Sequence, residues 1–170
     1  MISFVRYFLM FLFILFLQKY VLDLTPQFIP YSRPVLFFVF LLALPPLPTI
    51  WVMAVGFVGG LIFDVFYDTP GINAAACVLI GYIKDPLLRL FKNEEDNISY
   101  GSHIVYLGFG RFFFFALTIS FIFHTIYGFL DAFNLAETGQ TIIRIITNTI
   151  LSAILIYIYE IIFFYRKATA

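Results

Sequence analysis

The chain is short of nearly everything a water-soluble enzyme draws on. It has 170 residues, of which 12% are charged, 10 basic and 10 acidic, giving a formal net charge of zero. That balance leaves no basic patch large enough to hold nucleic acid. Its one cysteine, Cys77, sits in an apolar run, which excludes an internal disulfide and any multi-cysteine metal site. No alanine or glycine precedes Ala43, so the apolar run Phe8–Leu17 behind Arg6 lacks the small-residue pattern of a cleaved signal peptide and reads as a retained first helix. Neither His103 nor His124 stands in an HExxH setting, and no nucleophile elbow or phosphate loop is present.

Apolar surface is what the chain has instead. Hydrophobic residues make up 62% of it and aromatics 21%, including 24 phenylalanines. A soluble domain is nearer half apolar and a quarter charged, so lipid is the expected solvent. At roughly 20 apolar residues per crossing, this length holds about five or six spans and no separate soluble domain. The expectation is one all-α, polytopic integral membrane domain over 1–170.

The pattern along the chain predicts six helices. The first runs from Ser3 to Leu22, with Arg6 and Lys19 near its ends, where they can snorkel. A proline-rich loop or surface segment, Asp23–Pro34, follows. The second helix, Val35–Leu44, is too short to cross alone, and Pro45, Pro46 and Pro48 close it. It reads as a short or tilted helix, the alternative being one kinked span from Val35 to Phe63. The third helix is Thr49–Tyr67. The fourth is Pro70–Ile83, with Thr69 as N-cap, ended or kinked by Lys84-Asp85-Pro86. An interfacial amphipathic piece, Leu87–Lys92, leads to the polar loop Asn93–Asn97 and a mixed segment, Ile98–Gly110. The fifth helix spans Arg111–Leu130 and the sixth Ile142–Phe164.

Orientation follows from the short loops. Arg6, Lys84, Arg89, Lys92, Arg166 and Lys167 fall on the side of the N-terminus, against Lys19 and Arg33 opposite. The last opposite loop, near Asp131 and Glu137, has no lysine or arginine, and Arg111 and Arg144 add one to each side. Both termini are therefore expected in the cytoplasm, with the Asp64–Gly71 turn facing outward.

Two constellations stand out. In AVGFVGGLIFDVFYDTPGINAAACVLIGY, from Ala54 to Tyr82, Gly56, Gly59 and Gly60 fall on one side of the third helix. Gly56 and Gly60 form a small-xxx-small pair that lets backbones approach closely. Gly71, Ala74, Ala75, Val78 and Gly81 share a face of the fourth helix, so these small faces are expected to pack on each other or on a common neighbour. Asp64 borders the glycine face one turn before Asp68. It reads either as a buried polar anchor or as an interfacial helix end. The second constellation is a polar stripe on the sixth helix, Arg144, Asn148, Ser152 and Tyr159, within about a quarter of its circumference. It reads as hydrogen bonding inside the bundle, or as a polar cavity or partner contact. On the fifth helix Ser120 and His124 share a face, Thr118 and Thr125 the other, and His124 reads as a bundle residue rather than a ligand.

The run G-F-V-G-G-L-I-F-D, then D-T-P-G-I-N-A-A-A, then G-Y resembles the core signature of the MreD family of bacterial rod-shape-determining membrane proteins. The matching positions are Gly56, Gly60, Asp64, Gly71, Asn73, Ala74, Gly81 and Tyr82. The resemblance covers about thirty residues; the other helices match only in length and apolar character. It implies a non-enzymatic subunit of the cell-elongation machinery in the bacterial cytoplasmic membrane. That subunit binds the bitopic protein MreC and, through it, the MreB filament and the RodA–penicillin-binding-protein synthase, supporting side-wall peptidoglycan synthesis. It also implies a fold like the small substrate-binding subunits of vitamin transporters, which form the alternative reading. Those dock partners through small residues in helix 1, whereas helix 1 here is Phe, Leu, Ile and Met. An intramembrane enzyme is the third reading. Neither catalytic residues nor a cofactor are expected.

Overall fold

The computed structural model describes residues 2–20, 22–23, 34–45, 47–92, 103–131 and 138–165. Residues 24–33, 93–102 and 132–137, the side chain of Arg6, and Arg33, Glu137, Arg166 and Lys167 lie outside the described residues. The described residues are mostly helical and include no strand: α1 (Ile2–Tyr20), α2 (Val39–Ala43), α3 (Thr49–Tyr67), α4 (Ile72–Phe91), α5 (Ile104–Leu107), α6 (Phe109–Asp131) and α7 (Thr138–Glu160), which runs into a π-helical turn, Ile161–Tyr165. Three helical stretches are long and apolar enough to cross a membrane: Thr49–Tyr67, Phe109–Asp131 and Gly139–Phe163. They carry exposed Phe57, Val58, Phe121, Ile143, Ile150 and Ile154 on their outer sides. In water such a surface promotes association; against acyl chains it is the expected covering.

The second segment is unlike the others. Its helix has only five residues, Val39–Ala43, yet every residue from 34 to 44 is buried. Phe37 stacks on Phe63 of α3 with ring centroids 4.0 Å apart, Phe38 stacks on Phe123 of α6 at 4.5 Å, and Phe40 meets Phe11 of α1 edge-on at 4.9 Å. Phe40 also lies over Gly59, and Leu41 beside Gly56. Residues 37–41 thus descend along α3 antiparallel to it, at the centre of an aromatic core. Non-helical backbone at such depth is tolerated only when protein encloses it, and here α1, α3, α4 and α6 do so.

Two expectations about the fourth helix are corrected. Lys84-Asp85-Pro86 does not end it: α4 continues to Phe91 with Pro86 inside. Proline removes one helical hydrogen bond, but Cys77, Ile80, Lys84, Leu87 and Leu88 all lie on the buried face, and ending the helix would expose its last turns. Thr69 does not cap it either. The N-cap is Gly71, in left-handed backbone at φ 82°, which only glycine adopts readily. The outer ends of the first, fifth and sixth helices shift by a few residues.

Candidate functional site: the α3–α4 hairpin and its aspartate turn

Three glycines bring α3 and α4 together. A Cβ on Gly56 would lie 2.9 Å from the Cys77 carbonyl oxygen, and one on Gly60 would collide with the backbone of Ala74. From the other side, a Cβ on Gly81 would stand 3.1 Å from the Met53 nitrogen. Gly59 serves a different neighbour, leaving room for the Phe40 ring of α2. Without a hydrophobic drive between helices in lipid, such backbone proximity is the main source of association. Gly56, Gly60 and Gly81 are thereby occupied inside the chain.

The turn between the helices is organised by Asp64. α3 ends at Asp68, a left-handed residue at φ 52°, whose amide donates back to the Asp64 carbonyl. Asp64 itself is 5% exposed. Its Oδ1 accepts from the Asn73 amide (3.0 Å), the Asn73 Nδ2 (3.0 Å) and the Thr69 hydroxyl (2.7 Å). Its Oδ2 accepts from the Ala74 amide at 3.0 Å. Asn73 and Ala74 are the second and third residues of α4, whose amides an N-cap side chain ordinarily satisfies. Gly71 has no side chain to offer, so a carboxylate from the preceding helix supplies the cap, with a favourable dipole contact. Asn73 Nδ2 completes a ring by donating to Thr69 Oγ1 at 2.9 Å.

With four donors engaged, this carboxylate holds the turn. The small face of α4 divides in two. Gly81 turns inward against Met53 of α3, while Gly71, Ala74, Ala75 and Val78 line an open apolar groove of about 510 Å³ with Met53, Phe57, Leu79 and Tyr82. Tyr82 is 57% exposed there.

The polar stripe also divides. Ser152 and Tyr159 are buried, Asn148 is half-buried and Arg144 is exposed. Ser152 Oγ lies 2.9 Å from His124 Nε2, joining α6 to α7. A serine beside a histidine is the pairing of a nucleophile and its base, but both are sealed in the bundle. Thr118 instead bonds back to the Phe114 carbonyl in its own helix.

Two residues escaped the sequence reading. Gln18 of α1 brackets the approach to α2: its Nε2 donates to the Pro34 carbonyl (3.0 Å) and its Oε1 accepts from the Leu36 amide (2.7 Å). Its signal was a lone amide in an otherwise apolar helix. Lys84, read above as a loop charge, is 3% exposed and donates to the Leu41 carbonyl of α2 at 2.9 Å. Its signal was its register with Cys77 and Ile80.

No family model, curated protein or solved structure matches the chain. The resemblance to MreD therefore stands on the hairpin residues alone.

Proposed function

We propose that this chain is a non-enzymatic membrane subunit of a bacterial cell-elongation machinery, one that holds an MreC-like bitopic partner in the membrane. One observation carries the reading. Of the eight positions that bear the resemblance, Gly56, Gly60, Asp64, Asn73, Ala74 and Gly81 meet in one rigid unit of close backbones and a carboxylate cap, Gly71 makes its turn, and Tyr82 flanks it. Such a unit presents fixed surfaces to other helices, which is what a scaffold requires. The bulky outer face of α1, with Phe8, Leu9, Leu12, Phe13 and Phe16 exposed, does not favour the small-residue docking of a transporter subunit.

The proposal includes six crossings with both termini cytoplasmic. α3 has 19 residues, roughly 28 Å at about 1.5 Å per residue. The contacts of Phe37 with Phe63 and Leu41 with Gly56 run the second segment along that helix, beyond the five residues of α2 itself. Burial removes Lys84 from the loop charges, yet Arg89, Lys92, Arg6, Arg166 and Lys167 still outnumber Lys19 and Arg33. Reporter fusions after Asp131 and at Ala170 should fall on opposite sides; the same side for both overturns this topology.

The functional test is depletion in the host, combined with affinity purification in mild detergent. Rounding of a rod-shaped cell and co-purification of an MreC-like protein are expected. Retained shape with lost vitamin uptake would instead identify a transporter subunit.

A further inference from the structure

Pro45 withdraws a hydrogen bond that α2 needs. In an α-helix the carbonyl of residue i accepts from the amide of residue i+4, so Leu41 would be served by residue 45, which as proline has no amide hydrogen. Proline also drives the residue before it out of helical backbone, and Leu44 sits at ψ 143°. The Leu41 carbonyl is stranded by its own sequence, with Leu41 fully buried. Inside a membrane bundle a stranded carbonyl has no water to turn to.

The Lys84 ammonium occupies that place, 2.9 Å from the Leu41 oxygen. A lysine serving only as an interfacial charge would extend to solvent, and this one is enclosed. A cation also suits the negative end of a helix. The neighbouring Asp85 turns elsewhere, its Oδ2 accepting from the Thr49 hydroxyl at 3.4 Å.

We propose that Lys84 is a surrogate donor: its ammonium replaces the amide hydrogen that Pro45 lacks, fixing where α2 stops and how it sits against α4. Gln18 does the corresponding work at the other end by accepting from the Leu36 amide. α2 is then held in register by side chains of two other helices, and the Phe37–Phe63 stack depends on both.

The test uses the full chain in mild detergent, with thermal unfolding followed by size-exclusion chromatography. Lys84→Met should lower the unfolding midpoint by several degrees or abolish the folded peak. Pro45→Ala alone should change little. Combining the two should recover most of the loss, because residue 45 regains an amide hydrogen and Leu44 is released to become helical. Pro48→Ala, which restores no donor to Leu41, should not rescue Lys84→Met. A harmless Lys84→Met, a double variant no better than Lys84→Met, or equal rescue by Pro48→Ala overturns the proposal.

Discussion

The α3–α4 and α6–α7 hairpins are both antiparallel, long and apolar, yet they close by different means. In α3–α4 the backbones touch at Gly56, Gly60 and Gly81, and the polar atoms at the turn are gathered around Asp64. In α6–α7 side chains fill the space. Gly128 is the glycine of that pair with a close neighbour, and what it meets is the end of Ile145, a side chain able to move. Phe113 packs edge-on against Tyr157 at 5.8 Å. The polar groups are less fully used, too: Ser120 Oγ, Thr125 Oγ1 and Thr149 Oγ1 are buried with no hydrogen-bond partner among the described residues, against Asn73 Oδ1 alone in α3–α4. Close backbones leave no slack, so one hairpin should be brittle towards substitution and the other forgiving.

The sharpest way to break that contrast is Gly60→Leu. The new side chain would start inside the backbone of Ala74, and overpacking costs about 1–3 kcal/mol, more where neither wall can yield. Loss of the folded size-exclusion peak is expected, whereas Gly128→Ala should stay folded; equal tolerance would erase the distinction.

Asp64→Leu comes next. It strands buried donors on Asn73 and Ala74, each worth about 1–3 kcal/mol when left unpaired, and a half-buried one on Thr69. Asp64→Asn keeps one acceptor oxygen and should lie between Leu and wild type in unfolding midpoint. Equal effects of the two would mean that the carboxylate does not act as the cap.

A smaller effect is expected at Gly71. Its left-handed backbone costs a residue with a Cβ about 1–2 kcal/mol, although the space around it is open. Gly71→Asn should therefore be milder than Gly71→Ala in the same assay. The smallest belongs to α6–α7: Ser152→Ala removes one interhelical hydrogen bond, worth roughly 0.6 kcal/mol in membrane proteins. A double-mutant cycle with His124→Phe measures it, and a coupling well above that value would make this pair as decisive as Asp64.

What could be read from the sequence follows the same division. α3 was legible from Thr49 to Tyr67, because an uninterrupted apolar run follows a proline and ends at an aspartate suited to left-handed backbone. The glycine spacing was legible as a close-packing face, and Asp64 as bordering it. Which neighbour each glycine meets was not, since Gly59 and Gly60 are adjacent in sequence and face different helices. The continuation of α4 through Pro86 escaped local reasoning: proline propensity argues for a stop, and only burial of Leu87 and Leu88 against the bundle argues otherwise. Lys84 and Gln18 escaped for a related reason. A polar side chain that bonds to distant backbone leaves no periodic trace, and its partner becomes visible only when the helices are placed.

The Asp64 cap has a consequence for the order of assembly. Its side-chain and amide donors come from within ten residues of chain, so the lock can close once the first turn of α4 is made. The Lys84–Leu41 bond spans 43 residues, and Gln18 holds α2 from 18 residues upstream. Local contacts form early and distant ones wait for their partner to be synthesised. The second segment is therefore made early but seated late. Until α4 emerges, the described residues between 34 and 48 hold no helix long enough to cross by itself, and the newborn chain carries a stranded carbonyl at Leu41 that only a later helix can satisfy.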